Sequence, residues 1–139
     1  MPLETVQQNM KFLFHPILVH FPIAFYFLEF FLLVLWRAKR DENYLRFSLF
    51  SFRLGYGFMI AAMVAGLIDA GGIDHITGRV RTHFLAAASV FALYTMRAFF
   101  WRFAKKNDKH YQLTHLLFAA SGNILVAITG YFGGVLVYG

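Results

Sequence analysis

Residues 14–24 of the chain read FHPILVHFPIA and open the first of its long apolar segments. Two histidines and two prolines fall within this stretch, at His15, Pro16, His20 and Pro22. An imidazole inside an apolar segment is costly unless it has a partner or a function, because its polar atoms lose their water. The stretch therefore predicts a buried or membrane-spanning helix, and the function of the protein depends on what its histidines meet.

The composition extends this interpretation to the whole chain. Of 139 residues, 59% are apolar and only 14% are charged, and the mean hydropathy is +0.56. A soluble domain of this size carries more charge on its surface. The absence of cysteine excludes disulfides, thiolate metal sites and covalent haem attachment within the chain. We therefore expect an integral membrane protein in contact with lipid.

Four apolar segments are long enough to cross a bilayer, which takes about 20 helical residues. They cover about residues 13–36, 52–73, 82–103 and 113–138. The connections between them are short, so consecutive helices are antiparallel neighbours. The sequence predicts an all-α, up-down four-helix bundle that forms a single domain over residues 1–139. The basic residues fall in short loops between the segments, so the net charge of +6 does not indicate a nucleic-acid partner.

The distribution of Lys and Arg predicts the orientation in the membrane. Ten basic residues flank the first and third connections, namely Arg37, Lys39, Arg40, Arg46, Arg53, Arg97, Arg102, Lys105, Lys106 and Lys109. Only Lys11, Arg79 and Arg81 lie towards the other side. This bias predicts a multi-pass membrane protein with its first and third connections in the cytoplasm and both termini on the outer side.

In this orientation four histidines gather at the outer end, namely His15, His20, His75 and His83. His20 and His83 are predicted to face each other from diagonal helices as the axial ligands of a b-type haem. His15 and His75 are further candidates for the same role. Arg79 and Arg81 either pair with the haem propionates or are ordinary loop arginines.

Two polar residues do not belong to this group. Glu29 follows His20 by nine residues, so it should face the opposite side of the helix, towards Asn123, another subunit or a proton path. His115, with Arg53 and Tyr56, is a candidate for a second polar site near the cytoplasmic side.

Several motifs resemble the DUF2231 family of small four-helix bacterial membrane proteins. The resemblance is carried by HPILVHFPIA at residues 15–24, by GLID at residues 66–69, by Arg81 and His83, and by GYFGGVLVY at residues 130–138. It implies a four-helix, multi-pass protein of the bacterial inner (plasma) membrane, with both termini in the periplasm, that binds haem or serves a redox chain. Some relatives are joined to cytochrome-like or iron–sulfur modules.

Three functions remain open at this stage. The first is electron transfer by a b-type haem, with a redox partner or a larger membrane complex as the acceptor or donor. The second is a cofactor-free accessory subunit of a respiratory or photosynthetic complex, or a homo-oligomer. The third is a non-haem metal site, formed by the four periplasmic histidines with Asp74, or a quinone site. The pattern favours a non-enzymatic electron carrier or complex subunit over an enzyme.

Overall fold

The computed structural model describes residues 3–103 and 109–138, with the side chains of residues 15–102, 111–136 and 138. Four long helices follow one another: α1 (Leu3–Lys39), α2 (Glu42–Asp69), α3 (Gly78–Phe103) and α4 (Lys109–Tyr138). A short 3₁₀ helix, Ile73–His75, lies between α2 and α3. The predicted all-α four-helix bundle is confirmed, and the described residues contain no strand.

The first connection consists of Arg40 and Asp41 only. The apolar pattern had predicted a longer connection, over residues 37–51. Arg40 adopts a left-handed φ of 56° and its N–H donates to the carbonyl of Trp36, which ends α1. Asp41 then accepts a hydrogen bond from the Asn43 backbone N–H at 2.9 Å and caps α2. The error arose because polar residues at the start of α2 resemble a loop by composition, although a capping carboxylate makes them helical. Lys105 and Lys106 of the third connection lie outside the described residues.

The helices alternate in direction, so the bundle has two distinct ends. We call the end that holds His15, Asp69, Gly78 and Tyr138 the histidine end. The opposite end holds Trp36, Glu42, Trp101 and Tyr111, and we call it the tryptophan end. Helix α1 packs along α2 and α4, and α3 packs along α4, which leaves α1 and α3 as diagonal neighbours.

Helices α2 and α3 meet through large side chains. The hydroxyls of Tyr56 and Thr95 are 2.7 Å apart, and the ring of Tyr56 stacks near that of Phe91. Phe52 reaches Trp101 with ring centres 5.8 Å apart. These contacts close the middle of the bundle and the tryptophan end.

Two apolar clusters form the core. One contains Tyr26, Phe52, Met59, Val90 and Tyr94. The other, nearer the tryptophan end, contains Leu33, Trp36, Leu45, Tyr111 and Ala119. Tyr26 packs so closely on α2 that a β-carbon at Gly55 would lie 3.0 Å from its ring.

The outer surface is as apolar as the core. Phe27, Phe47 and Phe99 are 67%, 62% and 65% exposed, and many further Phe, Leu and Ile side chains point outwards. Patches of this extent are incompatible with a water-soluble monomer and suit a lipid environment. All four helices are long and apolar enough to cross a membrane, as the sequence predicted.

Candidate ligand pocket at the histidine end

A pocket of about 580 Å³ lies at the histidine end, lined by residues from all four helices. Its walls are mostly apolar. The polar side chains that line it are His15, His20, Tyr26, His83, Thr129 and Tyr138. Pockets of about 300–1,000 Å³ with apolar walls and a few placed polar groups are typical of small-molecule and cofactor sites.

His15 and His83 face each other across this pocket. Their ring centres are 6.2 Å apart and the ring planes are nearly perpendicular, at 85°. The Nδ1 atom of His15 lies 2.9 Å from the carbonyl oxygen of Ala62 on α2. The Nδ1 atom of His83 lies 3.1 Å from the carbonyl oxygen of Thr129 on α4. Each of these two histidines is therefore anchored to the backbone of the helix that follows its own helix in the chain.

These two hydrogen bonds determine the tautomer of each imidazole. A carbonyl oxygen can only accept, so Nδ1 of each ring carries the proton and donates it. The Nε2 atoms of His15 and His83 then carry lone pairs. Neither Nε2 has a hydrogen-bond partner among the described residues. An imidazole whose Nδ1–H donates to a backbone carbonyl is in the tautomer that ligates metals through Nε2.

A glycine supports each of these rings. An added β-carbon at Gly66 would lie 2.9 Å from Cε1 of His15, and one at Gly133 would lie 3.1 Å from Cε1 of His83. Each glycine lies one helical turn beyond the residue whose carbonyl accepts the hydrogen bond. The rings therefore rest directly on helix backbone, and a side chain at either glycine would displace them.

The two halves of the site are built in the same way. Tyr26 and Glu29 follow His15 at the same spacing at which Tyr94 and Arg97 follow His83. The equivalent residues contact each other across the bundle, and these pairs are His15 with His83, Tyr26 with Tyr94, and Glu29 with Arg97. The hairpin α1–α2 and the hairpin α3–α4 thus behave as two parallel repeats about an axis along the bundle. This repeated spacing was visible in the sequence and the sequence analysis missed it.

Beneath the pocket, on the same axis, lies a stacked tyrosine pair. The rings of Tyr26 and Tyr94 are 3.9 Å apart and nearly parallel, at 7°. Tyr26 lines the pocket floor, and its hydroxyl donates weakly to the sulfur of Met59 at 3.5 Å. The pair separates the pocket from the polar residues in the middle of the bundle.

Glu29 and Arg97 form a fully buried ion pair below the tyrosines. The Arg97 guanidinium also lies over the rings of Phe52 and Trp101, at 5.0 and 5.3 Å from their centroids. Mutual neutralisation makes two charges tolerable in this apolar interior. Arg97 therefore does not belong to the basic residues at the membrane surface, where the orientation argument counted it. Asn123, which was one expected neighbour of Glu29, instead donates to the backbone carbonyl of Tyr26 at 3.2 Å.

The second polar site expected at the tryptophan end is not assembled. His115 is buried between the rings of Trp101 and Tyr111, with ring centres 4.4 and 4.3 Å away. Arg53 is exposed and Tyr56 bonds to Thr95. Their predicted position at the same end of the bundle had grouped these residues, and the orientations of their helices separate them.

The other predicted site residues do not lie between the two facing histidines. His20 is exposed at the rim, and its Nδ1 donates to the carbonyl of Pro16 in its own helix. His75, Arg79 and Arg81 are exposed and do not line the pocket. Among the described residues there is no group of three or more His, Asp or Glu side chains that could hold a metal ion.

These features define a multi-pass membrane protein, a four-helix bundle with lipid-facing apolar walls and a pocket at one end. The chain belongs to the family described as "Predicted membrane protein (DUF2231)", whose model matches residues 12–139. Comparisons with curated proteins and with solved structures gave no match.

Proposed function

We propose that the pocket binds one b-type haem, with His15 and His83 as its two axial ligands, and that the protein carries electrons within the membrane. The observation that carries the proposal is the facing pair of imidazoles, both with Nδ1 anchored to a backbone carbonyl. When bound, haem would supply one-electron chemistry, and the protein would set its potential through the ligands and their burial.

The spacing of the two rings supports this assignment. A metal ion bonded to two imidazole nitrogens at about 2 Å each, with each ring centre about 1 Å behind its nitrogen, separates the ring centres by about 6 Å. The observed separation is 6.2 Å. Perpendicular ring planes are compatible with axial ligation, because each plane needs only to contain the metal–nitrogen bond.

The surroundings fit the same group. A haem brings four nitrogen ligands of its own, so two protein ligands suffice, which agrees with a site that contains two facing histidines and no larger ligand cluster among the described residues. The mostly apolar walls suit the macrocycle. Gly66 and Gly133 leave the imidazoles room against the helices.

The geometry favours His15 over His20 as the partner of His83. His15 is half-buried and anchored to α2, whereas His20 is exposed and bonded only to its own helix. Arg79 and Arg81 lie at the exposed start of α3. At that end they would add positive charge near anionic propionates.

The proposal puts the histidine end on the periplasmic side of the bacterial inner membrane. Its support is the excess of Lys and Arg in the connections at the tryptophan end. Removing buried Arg97 from that count leaves the direction of the bias unchanged.

The test is a spectroscopic comparison of purified variants in mild detergent. The unaltered protein, expressed with a supply of haem, is expected to show a low-spin reduced-minus-oxidised spectrum and about one haem per chain by pyridine haemochrome. His15→Ala and His83→Ala should lose this haem. His20→Ala and His75→Ala should retain it, because neither residue faces His83. A folded protein with no haem, or a haem that survives in both His15→Ala and His83→Ala, would overturn the proposal.

A further inference from the structure

The exposure of its lining indicates that the pocket opens sideways, between α1 and α4. The exposed residues of its lining all belong to these two helices, namely His20, Ile23, Gly130 and Tyr138. The lining residues of α2 and α3 are buried or half-buried. A β-carbon added at Gly130 or Gly134 would have no heavy atom within 4 Å. The glycines of α4 therefore leave this side of the pocket open.

This opening lies at membrane depth. Ile23 and Gly130 fall inside the candidate membrane spans of α1 and α4, His15–Lys39 and Tyr111–Leu136. His20 also falls inside the first of these spans. A molecule that uses the opening comes from the lipid phase rather than from water.

His20 provides a hydrogen-bond acceptor at the opening. Its Nδ1 donates to the carbonyl of Pro16, so Nε2 carries a lone pair. No described residue donates to that nitrogen. A polar atom exposed to hydrocarbon without a partner is unfavourable. The chemistry of the opening therefore calls for a ligand with a hydroxyl donor on an otherwise apolar body.

We infer that this lateral opening is a binding site for a membrane quinol, with a quinol hydroxyl donating to Nε2 of His20. A quinol combines a flat apolar ring with hydroxyl donors and dissolves in the bilayer, whereas phospholipid headgroups stay nearer the membrane surface. The inference concerns the binding of the quinol and assigns it no electron-transfer step. The binding itself does not require the haem.

Binding is measured by anaerobic calorimetric titration of the full-length, haem-free protein in detergent with duroquinol. We expect saturable binding at one site per chain, weakened about tenfold by His20→Phe, which is the scale of one lost hydrogen bond to an acceptor outside water. His75→Phe is the matched control, because this exposed histidine lies outside the pocket, and it should bind as the unaltered protein does. The dimethyl ether of duroquinol lacks the hydroxyl donors and should bind the unaltered protein about as weakly as duroquinol binds His20→Phe.

A second variant keeps the inference testable if His20→Phe does not fold. Gly130→Leu adds a side chain at the opening from α4, where a β-carbon has no heavy atom within 4 Å, and it should weaken duroquinol binding at least several-fold in the same titration. No saturable binding to the unaltered protein, or an affinity in both variants equal to that of the unaltered protein, would overturn the inference. The titration uses haem-free protein, so its result does not depend on whether the protein binds haem. A failure of the proposed function, seen as a folded protein without haem, is therefore distinguishable from a failure of quinol binding.

Discussion

Replacing Gly66 by alanine tests how the pocket positions its histidines. The new β-carbon would lie 2.9 Å from Cε1 of His15 and 3.1 Å from its Nδ1, whereas ordinary contacts begin near 3.4 Å. The ring must therefore move by about half an ångström, away from a hydrogen bond that is now 2.9 Å long. Gly133→Ala makes the equivalent change beside His83, with a closest approach of 3.1 Å.

The magnitude follows from three contributions. Forcing a methyl group into a packed site costs about 1–3 kcal/mol, and weakening the hydrogen bond of His15 costs up to about 1 kcal/mol. Removing a helical glycine returns about 1 kcal/mol. We expect Gly66→Ala to lower the free energy of unfolding by about 2 kcal/mol. Gly57 lies on the same helix with no heavy atom within 4 Å of an added β-carbon, so Gly57→Ala should raise this free energy by about 1 kcal/mol.

The assay is reversible unfolding of both variants in detergent, followed by circular dichroism and accompanied by the haem content of each preparation. Under the proposed function Gly66→Ala also binds haem more weakly, while Gly57→Ala binds it normally. Equal stability and equal haem content in the two variants would refute the conclusion that Gly66 is needed to make room for the His15 ring.

Three further predictions concern the bundle itself and are checked by the same unfolding measurement. Glu29→Gln or Arg97→Gln alone should lower the free energy of unfolding by about 3–5 kcal/mol, because each leaves a buried charge without its partner. In a double-mutant cycle the combined variant should lose much less stability than the sum of the two single losses. Simple additivity would contradict the pairing. Tyr94→Phe should change this free energy by no more than about 1 kcal/mol, since its buried hydroxyl has no hydrogen-bond partner among the described residues; a larger loss would point to a partner for that hydroxyl. Asp41→Ala should lower it by about 1 kcal/mol by removing the cap of α2, and no change would argue against the capped start at Glu42.

The hydropathy of the sequence predicted the class of protein and the number of helices because both depend on local properties. A segment of about 20 apolar residues has few stable states other than a membrane-spanning helix. Short connections then determine which helix ends lie together, so the gathering of histidines at one end followed from topology. The first connection was less predictable, because the polar start of α2 is helical only through the cap of Asp41.

The repeat within the chain was available from the sequence but needed a different comparison. The equal spacing of His15, Tyr26 and Glu29 with His83, Tyr94 and Arg97 becomes conspicuous only when the two halves are aligned. At its last position the repeat places opposite charges, so a search for identical residues would not find the ion pair.

The sequence alone determined that four apolar helices cross a membrane and that histidines collect at one end, since helix length and hydropathy are local. Only the tertiary structure decided which histidines face each other. His15 and His20 are five residues apart, or about 140° around a helix, so a single packing cannot turn both towards the same point. The rotation of α1 against α2 is set by contacts such as Gly66 with His15 and Gly55 with Tyr26. Those contacts turn His15 to the centre of the pocket, leave His20 at its rim, and bring Glu29 to Arg97.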